Sequence, residues 1–139
     1  MSIVKTTTHF MDDKEFQAVN ATGNLVNIDM HQGNDKQHQS PTELLLSALS
    51  ACASVDLVQI LKKRRRIVDA LQVDVVGERR EDEQPHAFID IKMVFILTSP
   101  DVEQAELEKW GHLAATRYCS VAGSLTASMS HEFRLVRPL

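Results

Sequence analysis

Aromatic side chains are scarce in this sequence: one Trp, one Tyr and five Phe, 5% of 139 residues. A base-stacking platform or an aromatic cage needs more, so Leu, Val and Ala must carry the interior. Cysteine is nearly absent as well. Cys52 and Cys119 cannot build a disulfide framework, and 67 positions between them match no zinc or C-x-x-C spacing. If the two thiols act together, the fold must bring them together. Positive charge is outnumbered, 15 Lys and Arg against 19 Asp and Glu, which leaves a net charge of −4. No global positive field draws the chain to DNA, RNA or anionic lipid, so neither nucleic acid nor membrane is an expected partner. The opening MSIVKTTTHF lacks the apolar run of a secretory signal, and the expected location is the cytoplasm. There is no G-x-x-x-x-G-K, no G-x-G-x-x-G and no G-x-S-x-G, so neither nucleotide binding nor a serine nucleophile has support. His31 and His38 stand in a polar loop without a ligand set around them, and no metal or bound cofactor is expected.

What is present is ordinary for a globular chain: 43% apolar and 24% charged residues. A chain of this length reads as one domain, 1–139, large enough to bury about 68–70% of its unfolded surface. Three strand-like pieces open it, Ile3 to Phe10, Glu15 to Asn20 and Leu25 to Met30, separated by turn residues. A polar loop, His31 to Gln39, leads to Ser40-Pro41-Thr42-Glu43, which reads as a helix opening with an N-cap Ser, Pro at the first position and a capping-box carboxylate. The helix is expected to run to about Arg66. Its early turns are apolar or small nearly all round, which predicts burial on most sides, more than one small protomer supplies. Asp56 and four Gln and Ser residues within Leu44 to Leu61 favour a buried helix over a membrane span.

The far end of this helix, Lys62-Lys63-Arg64-Arg65-Arg66, reads as a solvated end that complements the helix dipole, with an anion- or nucleic-acid-binding patch as the alternative. Leu71 to Val75 and Ile89 to Leu97 alternate as two strands of a hairpin, joined through charged Glu78 to Pro85. Ser99-Pro100-Asp101 opens a second helix carrying Leu107, Trp110, Ala114 and Tyr118. Ser120 to Met129 reads as a third helix, and His131 to Arg137 as a closing strand. The expected order is βββ-α-ββ-αα-β, an α+β fold.

Cys119 falls where the third helix would present free N–H groups and its positive end, a setting that stabilises a thiolate. Cys52, inside the apolar helix, is expected to be the more buried thiol, and taken alone it reads as packing.

SPTELLLSALSAC, followed by YCSVAGSL, resembles the OsmC/Ohr family over nearly the whole chain. CASVDLVQILKKRR, VVGERRE and RYCSVA are most similar to its YhfA-like branch. The resemblance implies an intertwined homodimer with the two Cys-bearing helices at its centre. It also implies thiol-dependent reduction of organic or hydrogen peroxides by Cys52 and Cys119, with an external dithiol, of the dihydrolipoyl type, as reductant. In the peroxidases of the family an Arg–Glu pair activates the thiol. Here Thr42 takes the Glu position with Glu43 beside it, and the first Arg is Arg64; only Lys5, Lys14 and Lys36 precede it. Arg117 is the candidate substitute, so weak activity is expected. The alternative is a non-catalytic protein of the same fold that holds a small apolar or acyl ligand at the dimer interface.

Overall fold

Period-2 alternation and two tight turns set the first sheet of the computed structural model, which describes residues 1–139. β1 (Thr6–Asp12), β2 (Glu15–Asn20) and β3 (Leu25–Asp29) pair antiparallel in that order. β1 starts at Thr6 rather than Ile3 because β2 ends at Asn20, the partner of Thr6. Lys14 (φ 64°) and Gly23 (φ 83°) take left-handed backbone in the connecting turns. Cross-strand pairing aligns Phe10, Phe16 and Ile28, with Thr8, Ala18 and Val26 on the same face. That face is open: Phe10 is 70% exposed and Val26 45%. Residues 1–45 and 46–139 form two compact units.

α1 (Pro41–Lys63) begins as its sequence dictates. Ser40 Oγ accepts the Glu43 N–H at 3.3 Å, and the Glu43 carboxylate accepts the Ser40 N–H at 3.0 Å. It ends at Lys63, short of Arg66. Arg65 turns left-handed (φ 62°), and the Arg65 and Arg66 N–H groups close onto the Lys62 and Leu61 carbonyls. This is a Schellman stop built without glycine. All-round burial does not occur within one chain. Only the i, i+4 row Leu49, Ala53, Leu57 and Leu61 is fully buried, while Ala48, Ala51 and Val55 on the opposite side are exposed. By length and composition α1 could cross a membrane; here its Leu49–Leu61 row belongs to a protein core.

That core is closed by a second sheet of order β4 (Ala70–Arg79), β5 (Phe88–Thr98) and β6 (Ser128–Val136). β4 and β5 are the expected antiparallel pair, and β6 lies parallel to β5. Ile91, Met93, Phe95 and Leu97 of β5 are fully buried. The crossover from β5 to β6 carries α2 (Gln104–Leu113), a wider turn of i→i+5 type over Ala114–Tyr118, and α3 (Ser120–Gly123).

Two expectations about this crossover fail. Ser99 does not cap α2: its Oγ accepts the Asp101 and Val102 N–H groups in a turn of its own, and Glu103 with Glu106 forms the capping box. The third helix is one turn long rather than reaching Met129, because residues from Ser128 onward pair with β5. Val121, Leu125 and Met129 still pack on the core, from α3, a loop and a strand in turn. Their four-residue spacing satisfied burial without a continuous helix.

α2 lies against β6 at close range. A Cβ on Gly111 would stand 2.3 Å from Phe133 Cε1. Phe133 stacks on Phe95 at 5.1 Å, and Gln104 donates its side-chain N–H to the Phe133 carbonyl at 2.8 Å.

Candidate active site

Helical periodicity decides where Cys52 stands. It sits beside the buried row of α1 and is half-buried, packed on the edge of the core. Cys119 arrives on the β5–β6 crossover. Small, fully buried Ala114 and Ala115 let the wide turn approach closely, and Cys119 follows in extended backbone (φ −75°, ψ 107°) as the N-cap of α3. Its sulfur accepts the Ala122 N–H at 3.4 Å, and its S–H points to the Leu49 carbonyl at 3.9 Å. Cys119 is only 3% exposed, so the order of burial is the reverse of that expected from sequence. The reason is geometric: α1 turns only one row inward, and Cys52 lies beside that row.

The two thiols are neighbours. Burial pushes the Cys119 thiol up, the Ala122 N–H opposes this, and the Cys52 thiol within hydrogen-bonding reach pushes it up further. The expected N–H contact at the start of α3 is present, yet desolvation outweighs it, and Cys119 rests as a neutral thiol. Asp56, one turn beyond Cys52, is half-buried and makes no ion pair.

The other two candidates lie apart from the thiols in their bonding. Arg117 ends the wide turn exposed, with no hydrogen bond or ion pair. Its assignment as the activating cation therefore has no contact behind it. Glu43, in the first unit, pairs with Lys36 at 3.1 Å. The Ser40 backbone N–H, the Ser40 hydroxyl and Lys36 together hold its carboxyl down at about 2. Its partner is thus one of the three early lysines, and its bonds are those of a helix cap.

Sequence reasoning overlooked Asp29. It is 1% exposed, and its carboxylate accepts the N–H groups of His31, Gln37 and His38 at 3.0, 2.9 and 2.7 Å. Burial works against its ionisation, but the three N–H groups and Lys36 prevail and hold the carboxyl below its ordinary value. Lys36 Nζ also donates to the Asp29 carbonyl at 3.2 Å, so this one side chain shapes the whole loop. An Asp closing an alternating strand ahead of a polar loop is the usual signal for such a side-chain-nucleated turn.

No group of three or more His, Cys, Asp or Glu is placed to hold a metal ion. A cavity of about 520 Å³ opens at the β4–β5 hairpin, lined by Gly77, Arg79, Arg80 and His86 among others, and neither cysteine lines it.

Known proteins share this chain's fold and much of its sequence. A family profile described as OsmC-like protein matches residues 33–134. Protein YhfA of Escherichia coli (strain K12) is 34% identical over 123 residues, 87% of this chain and 90% of that protein. The crystal structure of an OsmC-like protein from Mycoplasma pneumoniae superposes with a TM-score of 0.82 at 15% identity, over 99% of both chains. The organic hydroperoxide resistance protein OhrB of Bacillus subtilis gives a TM-score of 0.63 at 16% identity, over 97% of this chain and 98% of that one.

Proposed function

The chain belongs to the OsmC-like protein family, and on that premise we propose that it reduces organic or hydrogen peroxides with Cys52 as attacking thiol and Cys119 as resolving thiol. The observation that carries this reading is the pairing of a half-exposed thiol with a buried one across 67 positions of sequence. Their division of labour follows from access. Peroxide reaches the half-exposed sulfur, while the buried, neutral thiol is kept from wasteful oxidation until its neighbour has reacted.

In the first step the Cys52 thiolate attacks one peroxide oxygen. The O–O bond breaks, an alkoxide leaves and takes up a proton as alcohol (or as water from hydrogen peroxide), and Cys52 becomes a sulfenic acid. Cys119 then attacks the Cys52 sulfur, the S–O bond breaks, water leaves and a disulfide remains. An external dithiol, of the dihydrolipoyl type, restores both thiols by exchange.

Activity is weak in this reading, because no Arg–carboxylate clamp stands by either sulfur. Losing one charge-stabilising donor costs about 10²–10³ in rate, by analogy with oxyanion-hole deletions. The working form is an intertwined homodimer. The exposed Phe10 and Val26 face and the exposed Ala48, Ala51 and Val55 side of α1 are the surfaces that a second copy would cover. Two free cysteines suit a reducing cytoplasm.

The partnerless Arg117 favours a second reading, a non-catalytic protein that holds a small apolar or acyl ligand at the dimer interface beside Cys52. A peroxide-consumption assay with several dithiols separates the two. Cys52→Ser should abolish turnover, and Cys119→Ser should allow one turnover and leave a sulfenic acid that dimedone traps. A wild type inert toward every peroxide and dithiol would leave the ligand-binding reading standing.

A further inference from the structure

We propose that the basic end of α1 is a docking surface for an acidic protein that delivers the reducing dithiol. The inference rests on the peroxidase reading above. It starts from five consecutive cations, Lys62 to Arg66, in a chain whose net charge is −4.

Side-chain contacts account for only two of the five. Arg66 is fixed by Glu106, with its guanidinium 2.7 Å from Oε1. Arg64 lies over the Trp110 ring at 4.7 Å, and Lys109 approaches the same ring at 4.7 Å. Lys62, Lys63 and Arg65 are exposed and pair with nothing. Complementing the helix dipole explains cations in the last turn, but Arg65 lies beyond it, and the effect fades there. Arg65 also holds the left-handed position of the helix stop, φ 62°, where glycine is the favoured residue. A side chain with no contact, on a backbone that would prefer to lack it, indicates that its charge is used outside the chain.

Local chemistry favours a short acidic protein face over a nucleic acid. The Trp110 ring, which could have stacked on a base, is already taken by two cations. Asp101, Glu103 and Glu106 lie close enough to act on Arg66, and they would repel a long continuous polyanion. Position supports delivery of electrons. Lys62 and Lys63 follow Cys52 by ten and eleven residues on one helix, about 15 Å along its axis. An interface of about 800 Å² per partner has a radius of about 16 Å, so one docked partner spans both.

In the delivery step a partner thiolate attacks one sulfur of the Cys52–Cys119 disulfide, and a mixed disulfide forms. The second partner thiol displaces it, so two electrons and two protons pass to Cys52 and Cys119 while the partner leaves as a disulfide.

The test uses two synthetic peptides carrying the same Cys-x-x-Cys dithiol, one flanked by Glu and the other by Gln. The protein is first oxidised with diamide, so the docking result does not depend on peroxide activity. At about 20 mM salt the Glu peptide should reduce wild type at least about 10-fold faster than the Gln peptide. That advantage should vanish at about 1 M salt, where the screening length is about 3 Å. It should also vanish in the Lys62→Gln, Lys63→Gln, Arg65→Gln triple variant, whose reduction by dithiothreitol should equal that of wild type. Equal Glu-peptide rates in wild type and variant would overturn the proposal. So would tighter, patch-dependent binding of a 20-base-pair DNA duplex than of the Glu peptide at equal salt. Patch-dependent reduction of the diamide-oxidised protein that peroxide itself cannot oxidise would uphold the surface and end the peroxidase reading.

Discussion

Replacing Gly111 by Ala sets two effects of opposite sign against each other, and the structure decides between them. In a helix interior the change should stabilise by about 1 kcal/mol, because glycine carries excess backbone freedom into the unfolded state. At Gly111, however, the new Cβ would stand 2.3, 2.7 and 2.9 Å from three atoms of the Phe133 ring. The ring has little room to yield, since Phe95 stacks on it at 5.1 Å and His131 lies parallel to it at 6.5 Å. α2 is tied to the same residue through Gln104. Overpacking of this kind costs about 1–3 kcal/mol. With the helix gain of about 1 kcal/mol subtracted, the net effect should be a loss of up to about 2 kcal/mol. Urea unfolding at fixed protein concentration should show a lower midpoint. Gly123→Ala, whose Cβ meets nothing within 4 Å, should raise the midpoint by the equivalent of about 0.4–1 kcal/mol. Adding Phe133→Leu to Gly111→Ala should recover part of the loss, with a coupling of about 0.5–3 kcal/mol in the double-mutant cycle. Midpoints that rise for both glycine variants would refute the argument. Because α2 leads directly into the turn before Cys119, Gly111→Ala should also speed alkylation of that thiol.

Three further outcomes are expected. Glu43 is held at about 2 against an ordinary 4.5, so its stabilisation is fully present above 4.5 and is lost as pH falls towards about 2; in acid-unfolding curves Glu43→Gln should be less stable than wild type at pH 6 and approach it near pH 2. Burial, reinforced by His112, holds His131 below its ordinary 6.5, and its Nε2 has no partner. The folded state therefore resists protonation: stability should be full above 6.5 and fall on acidification below it, and His131→Phe should flatten that slope, as urea midpoints between pH 8 and 5 would read. Iodoacetamide should label Cys52 before Cys119 in the native protein, as mass spectrometry of timed samples would show; the reverse order would contradict the access argument behind their assigned roles.

Much of the fold is legible in the residues because it rests on local chemistry. Ser40, Pro41 and Glu43 announce α1, and alternation from Ile89 to Leu97 announces a strand whose alternate side chains, from Ile91 on, are wholly buried. Departures begin where partners distant in sequence decide the outcome. Leu125 and Met129 keep a helical spacing, yet pairing with β5 turns Met129 into a strand residue. The site divides in the same way. The thiols could be named from sequence through the motifs around them, but their relative burial depends on which row of α1 faces the sheet, and an apolar helix with little amphipathic contrast does not reveal that. The fate of Arg117 depends on side-chain orientation at the end of an irregular turn, which no local pattern specifies. Asp29 escaped notice because its role lies in closing a loop onto itself, and strand periodicity is silent on loops.

The parallel pairing of β5 and β6 carries a consequence for the order in which the molecule assembles. β4 and β5 are joined by a short hairpin and can zip locally, but parallel strands require a crossover, and here it runs from residue 99 to residue 127. Closing such a span is entropically dearer than closing a hairpin, so β6 adds after the first pair is formed. Cys119 rides on that crossover, whereas Cys52 is carried on a helix that forms from its own sequence. During synthesis the two sulfurs therefore have no fixed relationship until β6 has docked. In the peroxidase proposed above, a chain that met oxidant before that point would need an outside thiol to resolve Cys52.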